Sequence, residues 1–372
     1  MLRNTKIAFV IHGLPMGGAE KFMIGLINYF FEKGHNPILI MLSNDNKLLN
    51  EVNYGIKIYT IIKHTRYDLT ISKKIRNIIS EENVDKVFCI NSYSFFLTKI
   101  AFLFNKKIHF YLSIHSTIPK SIKNAFLNFI YYRLLSKNDN IIYLCENQKK
   151  YLIDTYLLPK TNHFIINNGI NTEYFNPIYF NSFDNENTRF LYNLTNEDSI
   201  ILKVARIQPE KGHDDAIEAL YILHNKYKEK AHLFFVGDGP ELYKSSLTKH
   251  ISKKKLAPFI HFVGNHEDVR SFYNMADIFT LTSYNTETFS LAALEAMAFG
   301  LPCSLTNIGG ASEMSIPGKT GLLTTPHDPL SIADSWYKLL TSKIKKPFIR
   351  QYILDNFKQT DMFINYQKVI GY

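Results

Sequence analysis

The sequence predicts an α/β protein of two doubly wound domains, each a parallel sheet with helices on both faces, the pair facing across a ligand cleft. Three observations carry this. The chain has 372 residues, longer than one hydrophobic core usually serves. Short apolar runs alternate with amphipathic stretches along its length, as strands and crossover helices do in a parallel sheet. A polar, Asn-rich interval near 176–198 separates two such series.

The opening, KIAFVIHGLPMGGAEKFMIGLINYFFEKGHNPILIML, reads as a buried strand, a glycine-rich loop, an amphipathic helix, a turn at Lys33-Gly34-His35 and a second strand. Strand-like runs follow at 58–62, 87–90, 108–114, 141–144 and 164–166, with helical segments including 70–80 and 122–135. The second series has strand runs at 200–204, 232–236, 260–263, 278–281 and 302–305, and helices at 213–228, 240–255, 267–275 and 289–299. The expected domains are 1–175 and 176–347, with a last helix at about 348–372 crossing back onto the first.

Composition narrows the function. At 46% hydrophobic, 14% aromatic and 20% charged residues, the chain is a globular protein and not a disordered one. Cys89, Cys145 and Cys303 are unevenly spaced within apolar runs, which suggests neither a disulfide framework nor a zinc site. Arg3 and Lys6 precede only the short run IAFVI, too short for a signal peptide, and FFLTKIAFLF is about half the length that spans a bilayer. The reading is cytoplasmic.

The net charge of +10 is uneven. Residues 1–170 hold 22 Lys and Arg against 11 Asp and Glu, and the remainder is nearly balanced. No zinc finger, RNA-binding strand motif or basic helical block accompanies that charge, so nucleic acid is the least favoured partner, and anionic lipid or phosphate remains. The segment 95–137 interleaves aromatics with lysines. As a helix its second part would place Phe126, Phe129, Ile130, Tyr132 and Arg133 on an apolar body with basic ends, as interfacial helices do, or else these aromatics are core.

Three loops carry chemistry. Gly17-Gly18 lies between the first strand and a helix, where backbone N–H groups meet an anion, although a tight turn needs glycine too. Arg206 and Lys211 follow the first strand of the second half, at the end of a parallel sheet that binds ligands, where two cations would neutralise a diphosphate. Glu287 falls before a helical run and Glu295 inside it. Residues Thr288, Phe289, Ser290 and Leu291 would offer helix N-terminal N–H groups to phosphate, Glu295 would accept ribose hydroxyls, and Glu287 would hold sugar hydroxyls. Alternatively Glu295 pairs with a lysine of a neighbouring helix. No Asp-x-Asp pair is placed to hold a cation for the donor, and the adjacent Asp214-Asp215 open a helix, where acidic residues are expected.

The order and spacing of several short motifs then resemble the retaining GT-B glycosyltransferases of family 4, over nearly the whole chain. These are GGAE at 17–20, SIHS around His115, NGI at 168–170, VARIQPEKG at 204–212, VGDGP at 236–240, HFVG at 261–264, the two-glutamate helix, GGASEM at 309–314 and TGLL at 320–323. The resemblance implies a GT-B architecture of two Rossmann-like domains and a nucleotide-sugar donor, the UDP-linked form favoured. Arg206 and Lys211 would hold the diphosphate, Glu295 the ribose, and Glu287 and His115 the donor sugar, with Gly17 and Gly18 bordering diphosphate and acceptor.

It further implies retention at the anomeric carbon with a leaving phosphate oxygen as base, so that no protein nucleophile is needed, and no metal or other cofactor. The acceptor would be a growing, lipid-linked glycan or oligosaccharide in polysaccharide or lipopolysaccharide assembly, met at the inner face of the cytoplasmic membrane. Departures from the common pattern are Ser290, where many relatives have glycine, the loop YNTET before the second motif glutamate, and Cys145, where serine is frequent. Two alternatives stand beside this reading: a non-catalytic GT-B-like subunit that binds a sugar nucleotide or glycan, and a related enzyme of sucrose or trehalose phosphates. Retention of all four of Arg206, Lys211, Glu287 and Glu295 speaks against the first, and the basic, aromatic first half against the second.

Overall fold

The structure is a computed structural model and describes residues 6–15, 17–62, 68, 70–103, 107–119, 121–180, 182–285, 287–342 and 344–372. The chain divides into two compact units, one of residues 1–167 with 362–372 and one of residues 168–361.

In the first unit the elements run β1 (Ile7–Ile11), α1 (Gly18–Glu32), β2 (Ile38–Met41), β3 (Lys57–Thr60), α2 (Thr70–Glu81), β4 (Lys86–Ile90), α3 (Asn91–Ala101), β5 (His109–Ser113), α4 (Ile122–Tyr132), β6 (Asn140–Tyr143), α5 (Glu146–Tyr156) and β7 (Asn162–Ile165). The strands form one parallel sheet in the order β3-β2-β1-β4-β5-β6-β7. β1 and β4 are buried along their whole length, which is why β1 and residues 87–90 of β4 read as unbroken apolar runs. One face of the sheet packs Phe22, Met23, Leu26 and Phe30 of α1. The other packs Ile71, Ile75, Ile79, Phe95 and Leu97 from α2 and α3.

The second unit runs α6 (Ser182–Phe190), β8 (Ser199–Val204), α7 (His213–Lys226), β9 (Ala231–Val236), α8 (Glu241–Lys254), β10 (Ile260–Gly264), α9 (Arg270–Met275), β11 (Ile278–Leu281), α10 (Leu291–Ala298), β12 (Cys303–Thr306), α11 (Ala311–Met314), β13 (Gly321–Thr324), α12 (Pro329–Leu340) and α13 (Lys346–Asn356). Its sheet is parallel too, in the order β10-β9-β8-β11-β12-β13. The last helix, α14 (Gln359–Ile370), lays Met362, Phe363, Tyr366 and Ile370 into the core of the first unit beside α1.

In both sheets the strand order reverses once, between β1 and β4 and between β8 and β11. Loops that leave the carboxyl ends of the two central strands then part to opposite faces and open a crevice, the usual ligand site of a doubly wound sheet.

The structure corrects several expectations. The interval 176–198 is not a linker, because it contains α6, and Arg189 near the end of α6 is 5% exposed. Its guanidinium donates to the carbonyls of Met275, Thr195 and Asp198 at 2.8–2.9 Å and to Asp277 at 3.3 Å. The crossing into the second unit falls after Asn167 and not near 175. Arg350 of α13 explains the difference, since it donates to the carbonyls of Thr172, Phe175 and Ala298 and so ties residues 172–175 to α10. The single last helix is two, broken at Phe357-Lys358, where Ile170 bonds Phe357 and Gln359 at 2.8 and 2.9 Å. Only α14 crosses back.

The segment 95–137 divides. In α3, Phe95 and Leu97 are core, and Lys99 is no surface cation: its ammonium meets the buried Asp139 carboxylate at 2.6 Å. α4 ends at Tyr132 rather than near 135 and buries only Tyr131 and Tyr132. Ile118, Ile122, Phe126, Phe129 and Ile130 point outward, with Ile122 at 91% and Phe126 at 64% exposure. Phe104, Asn105, Lys106 and Lys120 of that segment, and Thr286 of the loop before Glu287, lie outside the described residues. Among the described residues no helix is long and apolar enough to cross a membrane. Cys89, Cys145 and Cys303 are buried and form no disulfide. The Cys145 sulfur accepts from the Gln148 amide at 3.4 Å and caps α5, the role a serine would fill.

Candidate active site

The second unit gathers the predicted residues where its strand order reverses. Arg206 and Lys211 follow β8, and Thr282, Ser283 and Glu287 follow β11, the strand beside it. Gly212 has φ +64°, and a Cβ there would lie 2.0 Å from the Thr282 carbonyl oxygen. Only glycine permits this close approach, which brings the loop of β8 against that of β11.

The two loops meet through charge. The Lys211 ammonium lies 2.5 Å from the Glu287 carboxylate, and the Ser283 hydroxyl donates to the same oxygen at 2.9 Å. Both side chains are mostly buried, at 14% and 17% exposure. Burial alone would raise the Glu287 carboxyl. The charge and hydrogen bond of Lys211, with the Ser283 hydroxyl and the Lys203 charge behind it, outweigh burial and hold it below the usual carboxylate range. Arg206, by contrast, is exposed, and among the described residues its guanidinium has no ion-pair partner. The loop that carries it is braced by Asp238, whose carbonyl accepts from the Ile207 amide at 2.9 Å.

The helix expected from Phe289 to Phe299 is α10, Leu291 to Ala298, and Ser290 is its N-cap, the hydroxyl accepting from the Ala293 amide at 3.3 Å. The departure from glycine at this position thus supplies a cap. Thr288 and Phe289 are buried, at 6% and 4% exposure. Their carbonyls are held from outside the helix, Thr288 by the Gly310 amide of the GGASEM motif at 2.6 Å and Phe289 by Asn168 Nδ2 of the NGI motif at 2.8 Å. The Phe289 ring packs on Phe357 at 5.7 Å between centroids, so it belongs to the core and leaves only backbone for a ligand. Glu295 accepts from the Tyr273 hydroxyl of α9 at 2.7 Å. Cations at the carboxyl end of β8, a helix N-terminus and a half-buried glutamate one turn on are groups suited to a phosphate ester bearing hydroxyls.

In the first unit His115 follows β5. Its ring nitrogen Nε2 lies 3.0 Å from the Ser113 hydroxyl, which lies 3.2 Å from the Tyr366 hydroxyl of α14, and its ring packs on Phe22 at 4.5 Å. Burial pushes its pKa down to about 3, so the imidazole is neutral across the physiological range. A neutral ring donates one hydrogen bond and accepts one, and does not act as a cation. Gly17 is the N-cap of α1 and Gly18 its first residue. A Cβ at Gly17 would lie 2.3 Å from the Glu20 carboxylate, which therefore folds over the helix N-terminus where an anion was expected.

One residue escaped the sequence reading. Lys203, inside β8, is fully buried, and its ammonium donates to the Lys211 carbonyl at 2.7 Å and the Thr282 hydroxyl at 2.8 Å. Burial, and next the Lys211 charge, lower its pKa to about 7. Its partners lie on two other loops, so no spacing in the sequence signals it.

Comparison with known proteins shows the family and the fold. Residues 16–174 match the model described as Glycosyltransferase Family 4, and residues 184–353 match Glycosyl transferases group 1. An N-acetyl-alpha-D-glucosaminyl L-malate synthase of Bacillus anthracis is 25% identical over 289 residues, 76% of this chain and 72% of that protein. The lipopolysaccharide core biosynthesis mannosyltransferase LpsB of Rhizobium meliloti is 29% identical over 175 residues, 46% of this chain and 48% of that protein. The crystal structure of Anabaena Alr3699/HepE in complex with UDP-glucose superposes with a TM-score of 0.83 at 18% identity, covering 98% of this chain and 99% of that one, and so shares the fold. With one family model on each of its two Rossmann-like units, the chain belongs to the family 4, group 1 glycosyltransferases, transferases of the EC 2.4 class with the GT-B fold.

Proposed function

We propose that the chain transfers a hexose or N-acetylhexosamine from a UDP-sugar to a hydroxyl of a growing, lipid-linked glycan in polysaccharide or lipopolysaccharide assembly, with retention at the anomeric carbon and without a metal. The observation that carries the reading is the meeting of Arg206, Lys211, Glu287 and the start of α10 at the reversal point of the second sheet. Three relatives add support: HepE was solved with UDP-glucose, and the names of the other two describe an N-acetylglucosaminyl transfer and lipopolysaccharide core assembly.

The chemistry asked of these residues is stabilisation of a departing nucleoside diphosphate. As the bond between C1 of the sugar and the phosphate oxygen breaks, Arg206 and Lys211 meet the charge that develops there, and the backbone N–H groups of α10 add their dipoles. The acceptor hydroxyl bonds to C1 from the face the diphosphate leaves, and its proton passes to the leaving phosphate oxygen. Glu295 holds the ribose, while Glu287 holds donor hydroxyls.

The lipid-linked acceptor rests on α4. Its outward stripe, Ile122, Phe126 and Phe129 with Ile130, is flanked by the exposed Lys123, Arg133 and Lys137, and Arg133 covers the Phe129 ring at 4.2 Å. Apolar bulk edged by cations suits the inner face of an anionic cytoplasmic membrane. The test is a transfer assay in EDTA with UDP- and GDP-sugars and lipid-linked acceptors, reading the product's anomeric configuration by NMR. Retained configuration from a UDP-sugar supports the proposal. An inverted product, a strict metal requirement, or binding of nucleotide without turnover on any acceptor contradicts it, the last in favour of a non-catalytic binding subunit.

A further inference from the structure

Lys203 is a charge in a place where a side chain of equal length without one would pack as well. It lies in a fully buried strand position, and burying an ammonium costs stability that methionine there would not. Packing therefore does not account for it.

Its hydrogen bonds do. The ammonium holds the Lys211 carbonyl and the Thr282 hydroxyl, and that hydroxyl donates on to the Gly212 carbonyl at 2.5 Å. The turn bearing Lys211 is thereby fastened, through one amine, to the residue that follows β11. Four ionisable groups face this amine. Lys211 repels it, Glu287 and Asp215 attract it, and His213, fully buried at the start of α7, is kept neutral because burial lowers its pKa well below the ordinary value.

The charge balance gives this position its consequence. Lys211 and Glu287 cancel as a pair, so the positive charge left for a diphosphate is that of Arg206 and of whichever fraction of Lys203 is protonated. Near neutral pH that fraction is intermediate, since the amine titrates at about 7. An arriving diphosphate adds negative charge next to the Lys211 turn and favours the protonated amine.

We propose that Lys203 is a positioning residue of the donor site: it fixes the Lys211–Gly212 turn and takes up a proton when the donor diphosphate binds, adding the positive charge that the Lys211–Glu287 pair lacks. The inference rests on the donor site proposed above. It makes donor binding a proton-coupled event, in which affinity falls as pH rises above about 7 because the proton must then be drawn from scarcer supply.

The experiment is calorimetry of UDP binding to the full chain in two buffers of different ionisation enthalpy, at about pH 7.5. The wild type is expected to show a heat that differs between the buffers, reporting uptake of a fraction of one proton. Lys203→Met is expected to lose that difference and to bind UDP about tenfold more weakly. Thr282→Val, which disturbs the turn but keeps the amine, is expected to weaken binding while the proton uptake persists. Should Lys203→Met prove too unstable to purify, wild-type affinity between about pH 7 and 9 serves, and a decline with rising pH is the expected result. Equal uptake in Lys203→Met and wild type, or a wild-type affinity flat across that range, overturns the proposal while leaving the donor site standing. A wild type that binds neither UDP nor GDP overturns the donor-site reading, and this inference with it.

Discussion

The Lys211 ammonium and the Glu287 carboxylate, 76 residues apart in sequence, form a 2.5 Å ion pair at the reversal point of the second sheet. The cation assigned to the diphosphate and the carboxylate assigned to the sugar are therefore one unit before any donor arrives. A donor phosphate has to compete with Glu287 for Lys211.

That competition makes an asymmetric prediction. Lys211→Ala removes a charged donor and should weaken UDP binding by about 10- to 100-fold, the range of a charge-assisted hydrogen bond. Glu287→Gln frees Lys211 and should bind UDP at least as tightly as wild type, while transfer falls by about 100-fold. Isothermal titration beside a turnover assay separates the two. Equal loss of UDP affinity in both variants would mean that the pair acts only as structure.

The fold was largely legible in the sequence, for an identifiable reason. β1, with residues 87–90 of β4 and 233–236 of β9, is buried on both faces and so leaves an unbroken apolar run. α6 was illegible because its composition is polar, and what fixes it is one arginine, Arg189, reaching carbonyls on other loops. The break between α13 and α14 carries no glycine or proline; it is made by Ile170 bonding the backbone on either side of Lys358. Of the candidate site, the residue types were legible and their pairings were not. Lys211 with Glu287, Glu295 with Tyr273 and Asn168 with the Phe289 carbonyl all join distant segments, and Phe289 itself proved a core ring.

A second prediction concerns stability alone. Asp139 holds the buried Lys99 ammonium at 2.6 Å and accepts from the Ser136 amide at 2.7 Å. Asp139→Ala leaves Lys99 charged and buried without its partner, and should cost about 3–5 kcal/mol. Urea denaturation measures it, and a cost under about 1 kcal/mol would contradict the buried-pair reading.

The His115 ring gives a pH dependence with a definite sign. Its pKa is about 3 in the fold against the ordinary 6.5, so the unfolded chain binds the proton more readily between those values. The fold keeps its full stability above about pH 6.5 and loses it progressively as pH falls toward 3. His115→Gln should flatten part of that loss in denaturation curves collected at descending pH. Identical slopes for variant and wild type would show that other groups set the acid limb.

On α4, Phe126 is 64% exposed and Ile122 91% exposed, so replacing both with serine should change stability by less than about 0.5 kcal/mol. The same double variant should lose most of its co-sedimentation with phosphatidylglycerol vesicles at low salt. Unchanged co-sedimentation would place the membrane contact elsewhere or abolish it.

In the proposed reaction the second unit holds a donor nucleotide between the Arg206–Lys211 loop and α10, with Glu295 on the ribose. This placement is tested most directly by titrating UDP and GDP into wild type and Glu295→Ala by calorimetry in EDTA. The wild type is expected to bind UDP without metal and the variant to lose about tenfold or more, the range of hydrogen bonds to a charged group. Binding of neither nucleotide, or equal UDP affinity in the two proteins, would contradict it.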